Sequence, residues 1–243
     1  MSHIHLPYGV LPFWLWSSGF IVAILIGALV LRSIRKEDVS RRLPLLGMMA
    51  AVMVLGASVE IVPIAYHVNL TVISGILLGP ALIFLGTLVV NIVLALFGHG
   101  GITVLGLNTL ILSLEGILGY YLFQLFWNVL KKLAPAVFLA IFLSLLATTC
   151  SMIAVVSLGA SHYEEMIHRG EGRGIFEFEF SREKSHQNEK EPQKEEVNLW
   201  RFVSILLPLG FVGWVLEGVI TSLIVRYIYR IRPDLLRLKG AAP

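Results

Sequence analysis

Long apolar runs without charged side chains dominate the chain and restrict it to a membrane environment. Residues 13–31 carry no charge, and residues 68–97 form a second uncharged run. Runs of about 18 or more apolar residues are typical of transmembrane helices. Only 14% of the 243 residues are charged, whereas soluble domains carry about 25%. The sequence argues against a water-soluble enzyme, a disordered protein or a nucleic-acid-binding domain, and predicts an all-α, polytopic integral membrane protein.

Charged residues separate most of the apolar segments, which are 13–31, 43–66, 68–97, 102–130, 134–160 and 202–225. A Gly79-Pro80 break divides the third segment, so this segment crosses the membrane either once or twice. Basic residues usually mark the cytoplasmic side, and only two crossings place the basic 32–42 loop, Lys131-Lys132 and the C-terminal tail together there. We predict about seven transmembrane helices in the cytoplasmic membrane, with the N-terminus outside and the C-terminus cytoplasmic.

One of these helices is predicted to be short or broken and to follow His67. Residues 68–79 would rise only about 18 Å as an α-helix, against a hydrocarbon core of about 30 Å. Such a segment is tolerated where other helices bury it or where it lines a cavity. This part of the chain is therefore a natural place for a binding site.

Residues 161–198 differ from the rest of the chain in charge. They hold 10 of the 16 acidic residues and 6 of the 19 basic ones. We interpret residues 1–243 as a single transmembrane domain, with 161–198 as an acidic, polar extracytoplasmic loop insertion. Within the loop, residues 175–180 alternate like a short strand, and residues 181–198 have the composition of disorder. No secretory signal peptide is predicted.

Histidines on the predicted outer face are the candidate metal ligands. His3 and His5 lie near the N-terminus, His67 precedes the short helix, and His99 lies in a Gly-rich turn. Imidazole suits zinc, copper, nickel and cobalt, and square-planar nitrogen sites favour Cu(II) or Ni(II). Terminal histidines are mostly inert, however, and we interpret His99 as a turn residue.

A free terminal amine close to a histidine allows the N-terminus to chelate a metal ion. If Met1 is removed, the amine of Ser2 and the amide and imidazole of His3 supply three nitrogens, and His67 supplies the fourth. If Met1 stays, Met1-Ser2-His3 alone offers four nitrogens, and His67 or His5 becomes an additional ligand. Either arrangement predicts a planar, nitrogen-rich site.

Three carboxylates, Glu60, Glu115 and Glu217, fall within the predicted spans. Such residues are either functional or hydrogen-bond partners between helices. Sequence signatures of nucleotide binding, zinc proteases and serine hydrolases are missing. If this chain takes part in transport that is powered by ATP, another subunit must bind the ATP. The alternatives are a stand-alone secondary metal permease and, less favoured, an intramembrane zinc-dependent hydrolase with Glu60 as its base.

Several segments resemble one known family, the CbiM/NikM substrate-specific membrane components of cobalt/nickel energy-coupling-factor transporters. His5-Leu6-Pro7-Tyr8-Gly9 is similar to part of the family's N-terminus, and residues 97–110 (FGHGGITVLGLNTL) are similar to its Gly-rich signature. His67 has the expected spacing before that signature. Residues 217–221 and 230–236 resemble the family's ending.

The resemblance implies a membrane subunit that captures Ni(II) or Co(II) as a transported ligand, with no cofactor. Family members bind the metal through the terminal amine, an N-terminal histidine and a histidine after the second helix. Carried over, these are the amine of Ser2 or Met1, His3 and His67, whereas an alignment on Pro7 and Gly9 selects His5. The implied partners are a transmembrane coupling subunit, ABC ATPase subunits, an optional small accessory membrane subunit and lipid, with no nucleic acid.

Overall fold

A computed structural model describes residues 12–34, 36–58, 60–61, 66–67, 69–97, 101–167 and 199–236. Its α-helices are α1 (Phe13–Ser33), α2 (Lys36–Ser58), α3 (Thr71–Leu78), α4 (Pro80–Leu96), α5 (Leu105–Leu130), α6 (Leu133–Ile167) and α7 (Leu199–Ile231). The strands β1 (Glu60–Ile61) and β2 (Tyr66–His67) lie between α2 and α3. Short 3₁₀ turns, Ile102–Val104 and Pro233–Leu236, precede α5 and follow α7. The all-α prediction and the short helix after His67 are confirmed.

Four helical stretches are long and apolar enough to cross a membrane by length and composition. They are Phe13–Ser33, Ile102–Leu130, Leu133–Leu158 and Gly210–Ile231. The apolar part of α2, Arg42–Ser58, and the whole of α4 are shorter. A multi-pass membrane protein is therefore confirmed, while the exact number of seven crossings stays a prediction.

The short helix α3 lies inside the bundle. All eight of its residues are buried, and it packs against α5, α4 and α2. Its length is about 12 Å at 1.5 Å per residue, so it cannot cross the hydrocarbon core alone. Its burial agrees with the expectation that other helices cover a segment too short to span.

The turn between α3 and α4 depends on Gly79-Pro80, the break predicted from the sequence. Gly79 has a φ of 83° and ends α3, and Pro80 occupies the first turn of α4. Positive φ costs an L-residue because its Cβ approaches the following carbonyl oxygen, whereas proline is well suited to the first position of a helix. The pair therefore reverses the chain with little strain.

Replacing Gly79 with alanine is expected to destabilise the protein by about 1–3 kcal/mol, because alanine would have to adopt a backbone conformation, φ 83° and ψ 172°, that is essentially restricted to glycine. Gly86→Ala is the matched control on α4, since its Cβ would have no neighbour closer than 3.6 Å. Thermal unfolding in detergent measures both. Equal melting temperatures for the two variants would contradict the role given to Gly79.

Helix α5 is the centre of the fold and contacts α6, α3, α4 and α1. Its glycines allow this, because a Cβ at Gly106 would lie 2.7 Å from the backbone nitrogen of Phe20 on α1. On the side facing α3, a Cβ at Gly119 would lie 2.6 Å from Cγ1 of Val72. Small residues let membrane helices approach closely, and here they bring α1 and α3 against α5.

Three predicted boundaries are wrong. The basic 32–42 loop is almost absent, since α1 continues to Ser33 and α2 begins at Lys36. Long basic side chains reach the interface from helix ends, so a cluster of charges does not require a loop. The predicted 43–66 span ends as a helix at Ser58, before the helix-breaking Pro63. Helix α6 continues to Ile167, so the predicted 161–198 loop begins with a helical segment.

The C-terminal 3₁₀ turn follows α7 and contacts α3. Arg232 donates two hydrogen bonds to the carboxylate of Asp234, from Nε at 3.0 Å and from Nη2 at 2.9 Å. These bonds lower the pKa of Asp234. Leu236 is completely buried and belongs to the main hydrophobic core. The C-terminal segment 230–236 thus packs at the end of the bundle beside the short helix α3.

Candidate metal centre

His67 lies in a short hairpin that leads into the short helix. Strands β1 and β2 pair in antiparallel fashion, with Glu60 opposite His67 and Ile61 opposite Tyr66. Glu60 therefore lies in a strand after α2, and its prediction as a carboxylate within a span is wrong. The hairpin holds the backbone of His67 at the entrance to α3.

The other predicted ligands fall outside the described part of the chain. Ser2, His3 and His5 belong to residues 1–11, and His99 belongs to residues 98–100. Among the described residues, no group of three or more His, Cys, Asp or Glu side chains could hold a metal ion. The ligand set of Ser2, His3, His5 and His67 therefore stays a prediction.

A buried polar cluster lies directly after the hairpin. Asn69 donates a hydrogen bond from Nδ2 to Oε1 of Glu115, and its Oδ1 accepts one from the backbone N–H of Thr71 at 2.9 Å. The hydroxyl of Thr148 lies 3.2 Å from Oε2 of Glu115. These bonds join the start of α3 to α5 and α6 in the interior, where unsatisfied polar groups are costly.

Glu115 therefore serves as a hydrogen-bond partner between elements, one of the two roles predicted for a carboxylate in a span. Its side chain is only 5% exposed, and those of Asn69 and Thr148 are 2% and 5% exposed. Glu217 on α7 is completely buried as well. Burial of both carboxylates agrees with their prediction from the sequence.

Sequence reasoning missed Asn69 and Thr148, the two partners of Glu115. An asparagine just before an apolar helix is a common signal for a helix start, so Asn69 could have been found. Thr148 carries a weaker signal, because Ser144 and Thr148 lie one turn apart on α6 and both donate to carbonyls of their own helix. Only the fold shows that one of them also reaches Glu115.

A small cavity of about 10 Å³ lies beside the cluster. Its walls include Met53 on α2, Asn69 and Thr71 at the start of α3, and Val90 on α4. This volume is about the room that one water molecule needs.

The described part of the Gly-rich segment, from residue 101 onward, contributes to helix packing. Gly106 lets α5 approach α1, as described above, and Thr109 Oγ1 accepts a hydrogen bond from Nδ2 of Asn91 on α4 at 3.3 Å. Asn108 and Thr109 are both buried. Part of the sequence signature therefore has a structural cause, because small and polar residues join α5 to its neighbours.

Comparison with known proteins agrees with this architecture. A family model described as the CbiM cobalt uptake substrate-specific transmembrane region matches residues 5–235. The chain belongs to the CbiM family. This membership identifies a transporter component rather than an enzyme, with cobalt as a transported substrate rather than a cofactor, and it does not support the zinc-hydrolase alternative.

Curated relatives with the same family name match almost the whole chain. The cobalt transport protein CbiM of Sorangium cellulosum is 30% identical, with 96% of this chain and 94% of the relative covered. CbiM of Geobacter sulfurreducens is also 30% identical, and the match covers 98% of this chain but only 62% of the longer relative. The chain thus spans less than two thirds of that relative's length.

A solved structure described as a truncated transition metal transporter has the same fold. It superposes with a TM-score of 0.68 at 16% identity, and the match covers 94% of this chain and 99% of the other. A second transition metal transporter structure has the same TM-score at 17% identity. At this level of identity the likeness concerns the helical fold alone.

Proposed function

We propose that this protein is the substrate-binding membrane subunit of an ATP-driven cobalt/nickel uptake transporter. The family match over residues 5–235 is the observation that carries this proposal. The subunit captures Ni(II) or Co(II) outside the cytoplasmic membrane and releases the ion inward. The energy comes from ABC ATPase subunits through a transmembrane coupling subunit, and a small accessory membrane subunit is a further candidate partner.

The metal is bound by the amine of Ser2, or of Met1 if it is retained, together with His3 and His67, and His5 is the alternative N-terminal histidine. The backbone of His67 supports this assignment, since it is paired with β1 and lies two residues before the buried Asn69. A ligand on a supported hairpin keeps its geometry better than one on a free loop. The N-terminal chelate completes a planar nitrogen site of the kind that favours Ni(II).

The orientation we propose has the N-terminus and the hairpin outside and the C-terminus in the cytoplasm. Basic residues support it, because Arg32 lies in the last turn of α1, Lys131-Lys132 lie between α5 and α6, and Arg230 lies in the last turn of α7. Clusters of this kind favour the cytoplasmic side. In this orientation residues 161–198, with their excess of acidic side chains, lie outside as a polar insertion.

The experiment that tests the metal site compares the intact protein with a version extended at its N-terminus. Extension converts the terminal amine to an amide and removes one nitrogen ligand. We expect tight Ni(II) and Co(II) binding with a planar nitrogen absorption spectrum by the intact protein, and loss of both by the extended one. His3→Ala and His5→Ala then identify the N-terminal imidazole.

Equal binding by the intact and extended proteins would remove the amine from the site and leave His5, His67 and His99 as candidates. Reconstitution in vesicles tests the coupling to ATP. Uptake that requires the coupling and ATPase subunits supports the proposal. Uptake by this chain alone would instead identify a secondary permease.

A further inference from the structure

The side-chain amide of Asn69 links the interior of the bundle to the start of α3, just after the hairpin, and its orientation is fixed by two hydrogen bonds. Asn69 presents Nδ2 to Glu115 and Oδ1 to the N–H of Thr71. A flipped amide would place an oxygen against a carboxyl oxygen and an NH₂ group against an N–H donor, and both bonds would be lost. The acceptor at Glu115 therefore selects the orientation of Asn69.

This orientation controls how the chain enters α3. The bond from Thr71 N to Asn69 Oδ1 spans two residues, as in an Asx turn, and it satisfies one of the N–H groups that have no partner inside the helix. Asn69 lies two residues after His67. Glu115, in the middle of α5, thus fixes the backbone from Asn69 to the start of α3.

We propose that Glu115 and Asn69 are positioning residues for the metal ligand His67, acting through their hydrogen bond and the turn before α3. This inference rests on the proposed role of His67. Groups that orient a metal ligand without touching the metal typically contribute about 10–100-fold in affinity. The role requires a hydrogen bond between residues 69 and 115 that leaves an acceptor at position 69 for the N–H of Thr71, and it does not require a negative charge at residue 115.

Four variants of the full-length protein separate this role from simple charge or packing. Glu115→Leu removes the acceptor, and Asn69→Asp places two carboxyl groups against each other. Glu115→Gln keeps a carbonyl oxygen that accepts from Asn69. Its NH₂ group can donate to the oxygen of the Thr148 hydroxyl, because a hydroxyl group accepts hydrogen bonds as well as donating them. The double variant N69D/E115Q exchanges donor and acceptor, so that the carboxylate introduced at position 69 accepts from the amide introduced at position 115 and from the backbone N–H of Thr71.

Ni(II) affinity and the ligand-field absorption spectrum are measured for each variant, with thermal unfolding recorded separately. We expect Glu115→Leu and Asn69→Asp each to weaken binding by about 10-fold or more, with an altered spectrum. Glu115→Gln and the double variant should bind within a few fold of wild type and keep its spectrum. Ser144→Ala is the control, because the Ser144 hydroxyl donates to Ala140 O of its own helix at 2.6 Å.

Glu115→Leu leaves the buried Nδ2 of Asn69 without its acceptor, which lowers stability. The melting temperature therefore accompanies each affinity, and N69D/E115Q, which restores the hydrogen bond, keeps the inference falsifiable if Glu115→Leu does not fold. Wild-type affinity in Glu115→Leu or Asn69→Asp would overturn the inference. So would a loss in Glu115→Gln as large as that in Glu115→Leu, which would point to charge. These two results would remove only the positioning role if the wild-type protein binds metal and His67→Ala does not. If the wild-type protein itself binds no metal, the proposed function is removed as well.

Discussion

Gly75→Ala is expected to prevent stable folding of the bundle. Gly75 is a buried residue of α3, and a Cβ there would overlap the carbonyl oxygen of Gly116 on α5 and lie 2.6 Å from its carbonyl carbon. The obstacle is helix backbone, which cannot rotate away as the end of a side chain can. Overpacking typically costs about 1–3 kcal/mol, and we expect a loss above the top of that range. The yield of monodisperse protein and its melting temperature measure the effect.

Two other glycines provide matched comparisons for Gly75. Gly47→Ala on α2 is the control, because its Cβ would have nothing within 4 Å, and alanine favours helix over glycine by about 1 kcal/mol. Gly116→Ala should be intermediate, since its Cβ would meet mainly the side chain of Ile83. A melting temperature for Gly75→Ala equal to that of Gly47→Ala would show that α3 and α5 do not pack backbone to backbone.

The short helix illustrates how far local sequence signals reach. Gly79 and Pro80 have backbone preferences that act within one or two residues, so the break between α3 and α4 was predictable. The length of residues 68–79 then required burial, and the structure confirms it. The helices that provide the burial could not be predicted, because contacts such as that of Gly75 with Gly116 join residues far apart in sequence.

Charge alone is a poor marker of helix ends. Lys36 begins α2 although it was predicted in a loop, and α6 continues to Ile167 although the acidic loop was predicted to begin at residue 161. The polar cluster shows the reverse error. Asn69 and Thr148 are uncharged and do not stand out in an apolar sequence, yet they are the partners of Glu115 inside the bundle.

His67→Ala is expected to abolish tight metal binding and uptake. Loss of a ligand from a site of four nitrogens should exceed the ~10–100-fold that changes outside the ligand set cost. Titration of the purified protein with Ni(II) and Co(II) measures the loss. His99→Ala is the matched control on the other predicted outer turn and should keep wild-type affinity. Wild-type affinity in His67→Ala would remove this residue from the site.

The pH dependence of binding provides a second test of His67 as a ligand. A metal-bound imidazole must be neutral, so each histidine ligand that is protonated in the free protein releases one proton on binding. The terminal amine has an ordinary pKa of about 8 and histidine one of about 6.5, so affinity should begin to fall as the pH drops below about 8 and should fall more steeply below about 6.5. Below pH ~6 the slope of log Kd against pH is negative, and its magnitude should be smaller by about one for His67→Ala than for wild type. Equal slopes would mean that His67 stabilises the site without binding the metal, because only a ligand changes the number of protons released.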